Sequence, residues 1–562
     1  MSPVRSLFAL AAATLVAVAL PLSAAEGSAD GTTIVRLDGS LALRPAPDFF
    51  GHHEPSLHEA TVDLRKALRG PEKTIVIDLT VGFGGSLAAA EELASVIRAE
   101  KATVSGRTVT CLMDGTEDSA LVIAAACDRS VMAGAGLLDI NGIALESLYF
   151  GDALAKVGVK FHAVASGPHK TAHEPFTRNA PSEAGAAEFE SLAKDLDRVL
   201  LDLSQRSGLT RDELIAARAK APQTPDLAKS LKLVEAAAEP GAWLAALPEP
   251  VRYQGEPSKE PEVAGMAGLM QLVGKLLQGD QAPKYAKAVA VVELAGEIVG
   301  GGDSNPGESI GPDDTISMLE EIADDERIPA VVLRIDSPGG DAGASDRIHH
   351  AVRRLAEKKP VVALFDSVAA SGGYYIGCAA DEIQVHRATI TGSIGVFALV
   401  PDASGTLELL GIHRFGVSTG PRADVMSLTA PFSAEREAAL VQVVADVDAR
   451  FQRLVAERRQ LEAGKVAELA GGRVFTGEQA VGNGLADSFG TLATAVAAAR
   501  KRAGIDESLP LERYPKSQGL LGRLGMGGVQ SVLPREMVRL QRLVSSRRLQ
   551  IMAWANVGGD LK

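Results

Sequence analysis

The chain has little cysteine, few aromatic residues and no excess of positive charge, and each shortage excludes a class of function. Three cysteines, Cys111, Cys127 and Cys378, in 562 residues cannot form a disulfide framework or a thiolate metal cluster. They sit in largely apolar runs and read as small buried hydrophobes. Lys and Arg number 57 against 71 Asp and Glu, a net charge of −14. No basic face dominates, so nucleic acid is not expected as a partner. Aromatics make up 4% and hydrophobic residues 46%, which suits an Ala/Val/Leu-rich α/β core. Gly82-Phe-Gly-Gly85 lacks the Lys-Ser/Thr of a phosphate-cradling loop. His52, His53 and His58 have no acid at helical spacing converging on them and read as a solvated loop. Neither metal nor cofactor is expected.

What is present is length, an export-like start and a repeat. A chain of 562 residues exceeds a single core and predicts at least two domains. After Arg5 an uncharged apolar stretch runs to Leu22, then Ser23-Ala-Ala25 offers small residues for cleavage. This reads as an export signal cut after Ala25. An uncleaved anchor is the other reading, because the stretch is only slightly short of the ~20 residues that span a bilayer. Further on, buried-strand patterns alternate with helical ones twice in the same order. Gly84 corresponds to Gly339, Gly167-Pro168 to Gly420-Pro421, and Thr224 to Thr476, at offsets of 255, 253 and 252. Units this long are duplicated α/β domains with parallel sheets rather than solenoid repeats. Residues 33–43 read as a strand pair about a Gly turn. Residues 239–287 read as a linker, with an apolar stretch at 263–277 that packs on a neighbour or touches lipid. The tail carries a second such stretch at 519–532 and a basic helix at 535–548, covering a domain edge or meeting anionic lipid.

The chemistry gathers in Asp366-Ser-Val-Ala-Ala-Ser-Gly-Gly-Tyr-Tyr375. A short buried strand, 360–365, leads into it and a buried helix follows. A serine at such a corner lies near the free N–H groups of the helix start, which can hold a negative oxygen. Gly372 and Gly373 remove side chains that would block a substrate backbone. Ser371 is therefore the candidate nucleophile. Gly339, in Asp336-Ser-Pro-Gly-Gly340, closes a strand and could supply a second oxyanion N–H beside that of Gly372. In the first copy the matching corner is Asp114-Gly-Thr-Glu-Asp-Ser-Ala-Leu-Val122. Ser119 or Asp118 falls in the serine slot, depending on the anchor used, and the Gly-Gly is gone. The lysine is distributed the other way: Lys170 in Gly167-Pro-His-Lys aligns with Ala423. One copy has a serine without the lysine and the other a lysine without the serine, which predicts one composite site between them. A neutral lysine can deprotonate serine once burial lowers its pKa from ~10.4, at about 1.4 kcal/mol per unit. His169 and His173 flank Lys170 and are rival bases.

These motifs resemble the long, duplicated form of the signal peptide peptidase A family, protease IV. In the second copy the resemblance rests on Asp336-Ser-Pro-Gly-Gly, Ala370-Ser-Gly-Gly-Tyr, Thr391-Gly-Ser-Ile-Gly-Val396, Arg473-Val-Phe-Thr-Gly477 and Asn483-Gly-Leu-Ala-Asp487. In the first it rests on Gly167-Pro-His-Lys-Thr-Ala-His-Glu-Pro-Phe176. It covers residues 30–500. The resemblance implies two tandem Clp protease/crotonase-like domains built of repeated ββα units. It also implies a dyad of Ser371 and Lys170, with Ser393 positioning the lysine, no cofactor, and cleaved signal peptides as substrates. It implies a homotetramer at the membrane, in or facing the periplasm. Two features depart from the family pattern: the cleavable-looking start, where an anchor is usual, and His169, where an aromatic is common. The expected organisation is a signal or anchor at 1–25, a lysine-bearing domain at 26–240, a linker at 241–287, a serine-bearing domain at 288–505 and a tail at 506–562. The leading reading is a serine endopeptidase of apolar peptides. The alternatives are a crotonase-like acyl-CoA enzyme, which would not need Lys170, and an inactive peptide-binding scaffold.

Overall fold

The computed structural model describes residues 30–45, 54–80, 82–205, 208–254, 285–420, 422–506, 508–516 and 550–552. His52, His53, the N-terminal segment, the stretches at 263–277 and 519–532 and the basic helix at 535–548 lie outside them.

Two sheets, the first parallel and the second parallel except for the edge strand Val474–Thr476, form the α/β framework. The first has the spatial order Ala236–Ala238, Arg129–Ala133, Thr108–Met113, Thr74–Asp78, Thr32–Arg36, Val251–Gln254. The second is centred on Val361–Ala370, flanked by Val331–Ser337, Val289–Ala295 and Leu511–Tyr514 on one side. On its other side the first half of Val361–Ala370 pairs with Glu382–Val385 and the second half with Ile390–Gly392. The central strands are Val/Ile/Leu-rich and buried, as parallel strands covered on both faces must be. Helices follow the strands with local signals: Ser56 and Glu59 form a capping box on Leu57–Arg69, and Asp341 caps Ala342–Lys358.

The lobes are not independent. Val368, Ala370, Ala388 and Ile390 of the second copy sit in the core of the first, and Ser86 Oγ meets Ser367 Oγ at 2.6 Å. A third sheet stitches the lobes together. It runs Ser309–Ile310, Glu297–Ile298, Gly339–Asp341, Gln550–Met552, Phe397–Asp402, Lys160–Ala165. There Lys160–Ala165 of the first copy lies antiparallel on Phe397–Asp402 of the second, from Phe397 opposite Ala165 to Asp402 opposite Lys160.

Four details differ from the sequence reading. Residues 33–43 give one strand, Thr32–Arg36, and only a single bridge from Gly39 to Phe83. The strand expected at 360–365 runs to Ala370, because Asp366 inside it is neutralised by Arg334 on the neighbouring strand, with Nε and Nη2 at 2.9 and 2.5 Å from the carboxylate. Residues 251–254, within the stretch read as linker, pair with Thr32–Arg36 as an edge strand, and Leu511–Tyr514 does the same for the second sheet. His58 lies on the helix Leu57–Arg69 rather than in a loop, and burial pushes its pKa down to about 4. Among the described residues no helix is long and apolar enough to cross a membrane.

Candidate active site

Ser371 stands at the turn between the strand Val361–Ala370 and the helix Gly372–Gly377. Its backbone is left-handed, with φ 54°. For a non-glycine residue this costs about 1–3 kcal/mol and persists only when the surroundings enforce it. The enforcement is visible. Ser371 N–H donates to Gly392 O (2.8 Å), and Ser371 O accepts from Tyr375 N–H (2.8 Å). The helix is anchored by Tyr374 Oη–H donating to Leu485 O (2.9 Å) and Tyr375 Oη–H donating to Asp346 (2.7 Å). The glycines are required by space: a Cβ on Gly373 would stand 2.6 Å from Ser337 O, and one on Gly372 would stand 2.6 Å from Ser345 Oγ and 3.1 Å from Gly339 Cα.

The lysine arrives from the other lobe. Its delivery begins with the cross-lobe strand pair, continues with Ser166 N–H donating to Val396 O (2.9 Å), and is fixed by His169 N–H donating to Gly471 O (3.1 Å). Gly472, with φ 92°, lets the two backbones pass, since a Cβ there would collide with the Lys170 backbone. Lys170 Nζ then lies 2.8 Å from Ser371 Oγ, 2.9 Å from Ser393 O and 3.0 Å from Ser393 Oγ. All three residues are almost wholly buried. Ser393 is also left-handed, at φ 51°, which turns both its carbonyl and its hydroxyl onto the amine.

Burial drives the Lys170 pKa well below the usual lysine value, and the charge of Asp448 opposes this in part. A neutral amine has two N–H donors and one lone pair. Ser393 O and Oγ can take the two hydrogens, leaving the lone pair for the Ser371 hydroxyl proton. A fully charged ammonium would be buried without a counter-ion in hydrogen-bond contact, which is the costly alternative.

Sequence reasoning placed Ser371, Lys170, Ser393, Gly339 and Gly372 in one site, and the fold brings all five together. Gly339 N–H donates to Ser337 Oγ (3.2 Å). The rival histidines are elsewhere: His169 Nδ1 faces Glu188 (3.2 Å) and His173 faces Thr177 (3.3 Å). The corner of the first copy holds Asp118 at the serine position. Its helix, Asp118–Ala124, is C-capped by Ala125 as Gly372–Gly377 is by Cys378, 253 positions later. Asp118 accepts from Asn141 and Gly142 N–H (both 2.9 Å) and pairs with Arg218 (3.1 Å). One participant was missed. Asp448, on the helix Ala434–Arg459, is buried near Lys170 and bonded to Gln452. No local motif marks it. Among the described residues no group of His, Cys, Asp or Glu could hold a metal ion.

Comparison with known proteins gives the family. The model of peptidase family S49 matches residues 101–239 and 353–506. Protease 4 of Haemophilus influenzae is 29% identical over 493 residues, covering 84% of this chain and 78% of that protein. A putative signal peptide peptidase SppA of Enterococcus faecium is 32% identical over 229 residues, covering 40% of this chain and 67% of that protein. Among solved structures, ClpP1 of Listeria monocytogenes matches at 15% identity and a TM-score of 0.24, over 40% of this chain and 95% of that one. With a family match in both copies and a relative spanning most of the chain, the protein belongs to the serine peptidases of family S49.

Proposed function

We propose that the chain is an exported endopeptidase that hydrolyses apolar peptides, cleaved signal peptides among them, through a dyad of Ser371 and Lys170. The observation that carries this reading is the 2.8 Å contact between a buried amine and a serine hydroxyl at a strained corner. Lys170 Nζ takes the Ser371 proton as Oγ attacks the peptide carbonyl. The developing oxyanion is received by the N–H groups of Gly372, at the helix start, and of Gly339 once that donor is released from Ser337. The lysine then passes its proton to the leaving amine, and an ester to Ser371 remains. Water, deprotonated by the same amine, cleaves the ester and restores the hydroxyl. Ser393 holds Nζ on line throughout.

Substrate binding follows from the third sheet. Residues 550–552 pair antiparallel with Gly339–Asp341, with Gly339 opposite Met552. A substrate in extended conformation would use the same backbone donors and acceptors beside Ser371. Main-chain pairing of this kind suits many apolar sequences. The name of the Enterococcus faecium relative supports signal peptides as substrates, and with them a location at the outer face of the membrane.

The test is covalent labelling with a fluorophosphonate. The reading expects the adduct on Ser371, its loss in Ser371→Ala, and peptide hydrolysis lost in parallel. Wild-type protein that takes no label and cleaves no peptide would leave the inactive scaffold as the better account. An acyl-CoA enzyme has no need of a desolvated amine against the hydroxyl.

A further inference from the structure

The strand that carries Ser371 does not run straight into it. Beside Val331–Ser337, the strand Val361–Ala370 keeps one register from Val331 opposite Val361 to Ile335 opposite Phe365, then resumes with Ser337 opposite Ala369. Asp336 alone therefore faces Asp366, Ser367 and Val368. This is a bulge of two extra residues, where one is usual, placed just before the nucleophile. A bulge frees ladder donors and acceptors, and buried ones must find partners. Two side chains take them. Asp336 Oδ1 accepts from Val368 N–H at 3.0 Å. The hydroxyl hydrogen of Thr389, a fully buried residue, is shared between Asp366 O at 2.7 Å and Phe365 O at 3.0 Å. Asp336 is tied down on its far side as well, where its carbonyl accepts from Gly296 N–H at 2.9 Å. Past Asp336 the chain packs against the helix that Ser371 opens: a Cβ on Gly373 would stand 2.6 Å from Ser337 O, and one on Gly372 would stand 3.1 Å from Gly339 Cα.

The first copy shows the same corner without these devices. Val109 N–H donates to Asp128 at 2.8 Å as Val361 N–H donates to Asp381 at 2.9 Å, so the two valines correspond. From Val109 to Asp118, in the serine slot, is nine residues; from Val361 to Ser371 is ten. The first-copy strands keep a single register, from Thr74 opposite Thr108 to Asp78 opposite Leu112. Ile75 faces Val109 as Val331 faces Val361, which puts Thr80 where Asp336 stands. Eight residues past Asp128, where Thr389 stands past Asp381, is Gly136, and a Cβ there would collide with Asp114. The copy without the serine thus lacks the extra residue, the acid and the threonine together. A single residue more or less changes which side of a strand its end presents.

We propose that Asp336 and Thr389 are positioning residues of the hydrolysis, which together hold the bulge that aims Ser371 at Lys170 and at the N–H groups of Gly339 and Gly372. The claim rests on the Ser371–Lys170 reading. Both residues act through the backbone of Val361–Ala370 rather than on the substrate. A nucleophile misplaced by about 1 Å loses on the order of 10²-fold in rate.

The experiment compares Thr389→Val, which keeps the shape and removes the hydroxyl, with Thr389→Ser, which keeps the hydroxyl. Asp336→Ala is compared in the same way with Asp336→Asn, which keeps the acceptor. Hydrolysis of a quenched fluorescent peptide gives kcat and KM, and fluorophosphonate labelling gives the reactivity of Ser371. Thr389→Val and Asp336→Ala should lose about 10–100-fold in kcat and in labelling rate with KM unchanged; the serine and asparagine variants should recover most of it. Should Asp336→Ala fail to fold, the threonine pair carries the test. Thr389→Val at the wild-type kcat, or valine and serine variants equally slow, would overturn the proposal. A crystal structure of Thr389→Val should show Ser371 Oγ withdrawn from Lys170 Nζ; a contact kept at 2.8 Å would also overturn it. Wild-type protein that takes no label would remove the dyad mechanism, and the crystal structure would then decide the bulge by itself.

Discussion

Replacing Lys170 with methionine tests the base directly, because methionine keeps an unbranched side chain of similar reach and removes only the amine. Ser371 then has no proton acceptor at 2.8 Å. A positioned general base contributes on the order of 10²–10⁴ in rate. The expected loss in kcat/KM is about 10³, equivalent to roughly 4 kcal/mol at 1.36 kcal/mol per tenfold. Stability gives a second readout. Methionine leaves Ser393 O and Oγ without the amine, at about 1–3 kcal/mol for each buried group left unpaired. It also removes a buried titratable group. The sign of that second effect follows from the lowered pKa. Between the depressed folded value and the ordinary ~10.4, the unfolded chain holds a proton that the native chain lacks. Wild-type stability therefore rises with pH across that window. Below the window both states are charged and the burial cost is fully present; above it both are neutral and the cost is gone. Lys170→Met should lose this slope. The assays are hydrolysis of a quenched fluorescent peptide and urea unfolding across the pH window. A variant within tenfold of wild-type kcat/KM, or one that keeps the wild-type pH slope of stability, would refute the assignment.

Five further outcomes are expected. Ser393→Ala removes the 3.0 Å hydroxyl contact but keeps the carbonyl contact, so kcat should fall about tenfold, a fraction of the general-base contribution, with KM unchanged. Ser393→Gly accepts φ 51° freely and should lose as much, which separates the hydroxyl from backbone strain. Asp448→Asn removes a charge that raises the Lys170 pKa, so the acid limb of the pH–rate profile should move to lower pH; movement upward would contradict the placement. Arg334→Leu strands the buried Asp366 carboxylate, and urea unfolding should show a loss of about 3–5 kcal/mol. Ending the chain at Lys516 removes the strand beside Gly339–Asp341 and should lower KM for peptides; an unchanged KM would speak against that slot as the substrate site.

The reactive pair was legible because duplication left two imperfect copies to compare. Ser371 announced itself through Gly372 and Gly373, which the packing against Ser345 and Ser337 requires. Lys170 had no motif of comparable strength, and only its replacement by Ala423 in the other copy singled it out. What the sequence concealed is non-local. Strand pairing between Lys160–Ala165 and Phe397–Asp402 joins segments more than two hundred residues apart, and no periodicity reports a partner. The strand end at Ala370 was hidden because Asp366 breaks the apolar run, and Arg334 neutralises it only in three dimensions. Edge strands such as Val251–Gln254 sit among prolines that read as linker. Asp448 lies on a long, charged helix where an aspartate is ordinary until the fold turns it toward the amine.

The most direct measurement is the pH dependence of the second-order rate at which a fluorophosphonate labels Ser371. The account expects this rate in wild-type protein to rise through one ionisation well below the ordinary lysine value of ~10.4, and that step to be absent in Lys170→Met. A wild-type profile that climbs only near the ordinary lysine value, or the same profile in both proteins, would contradict a neutral, buried Lys170 acting on Ser371.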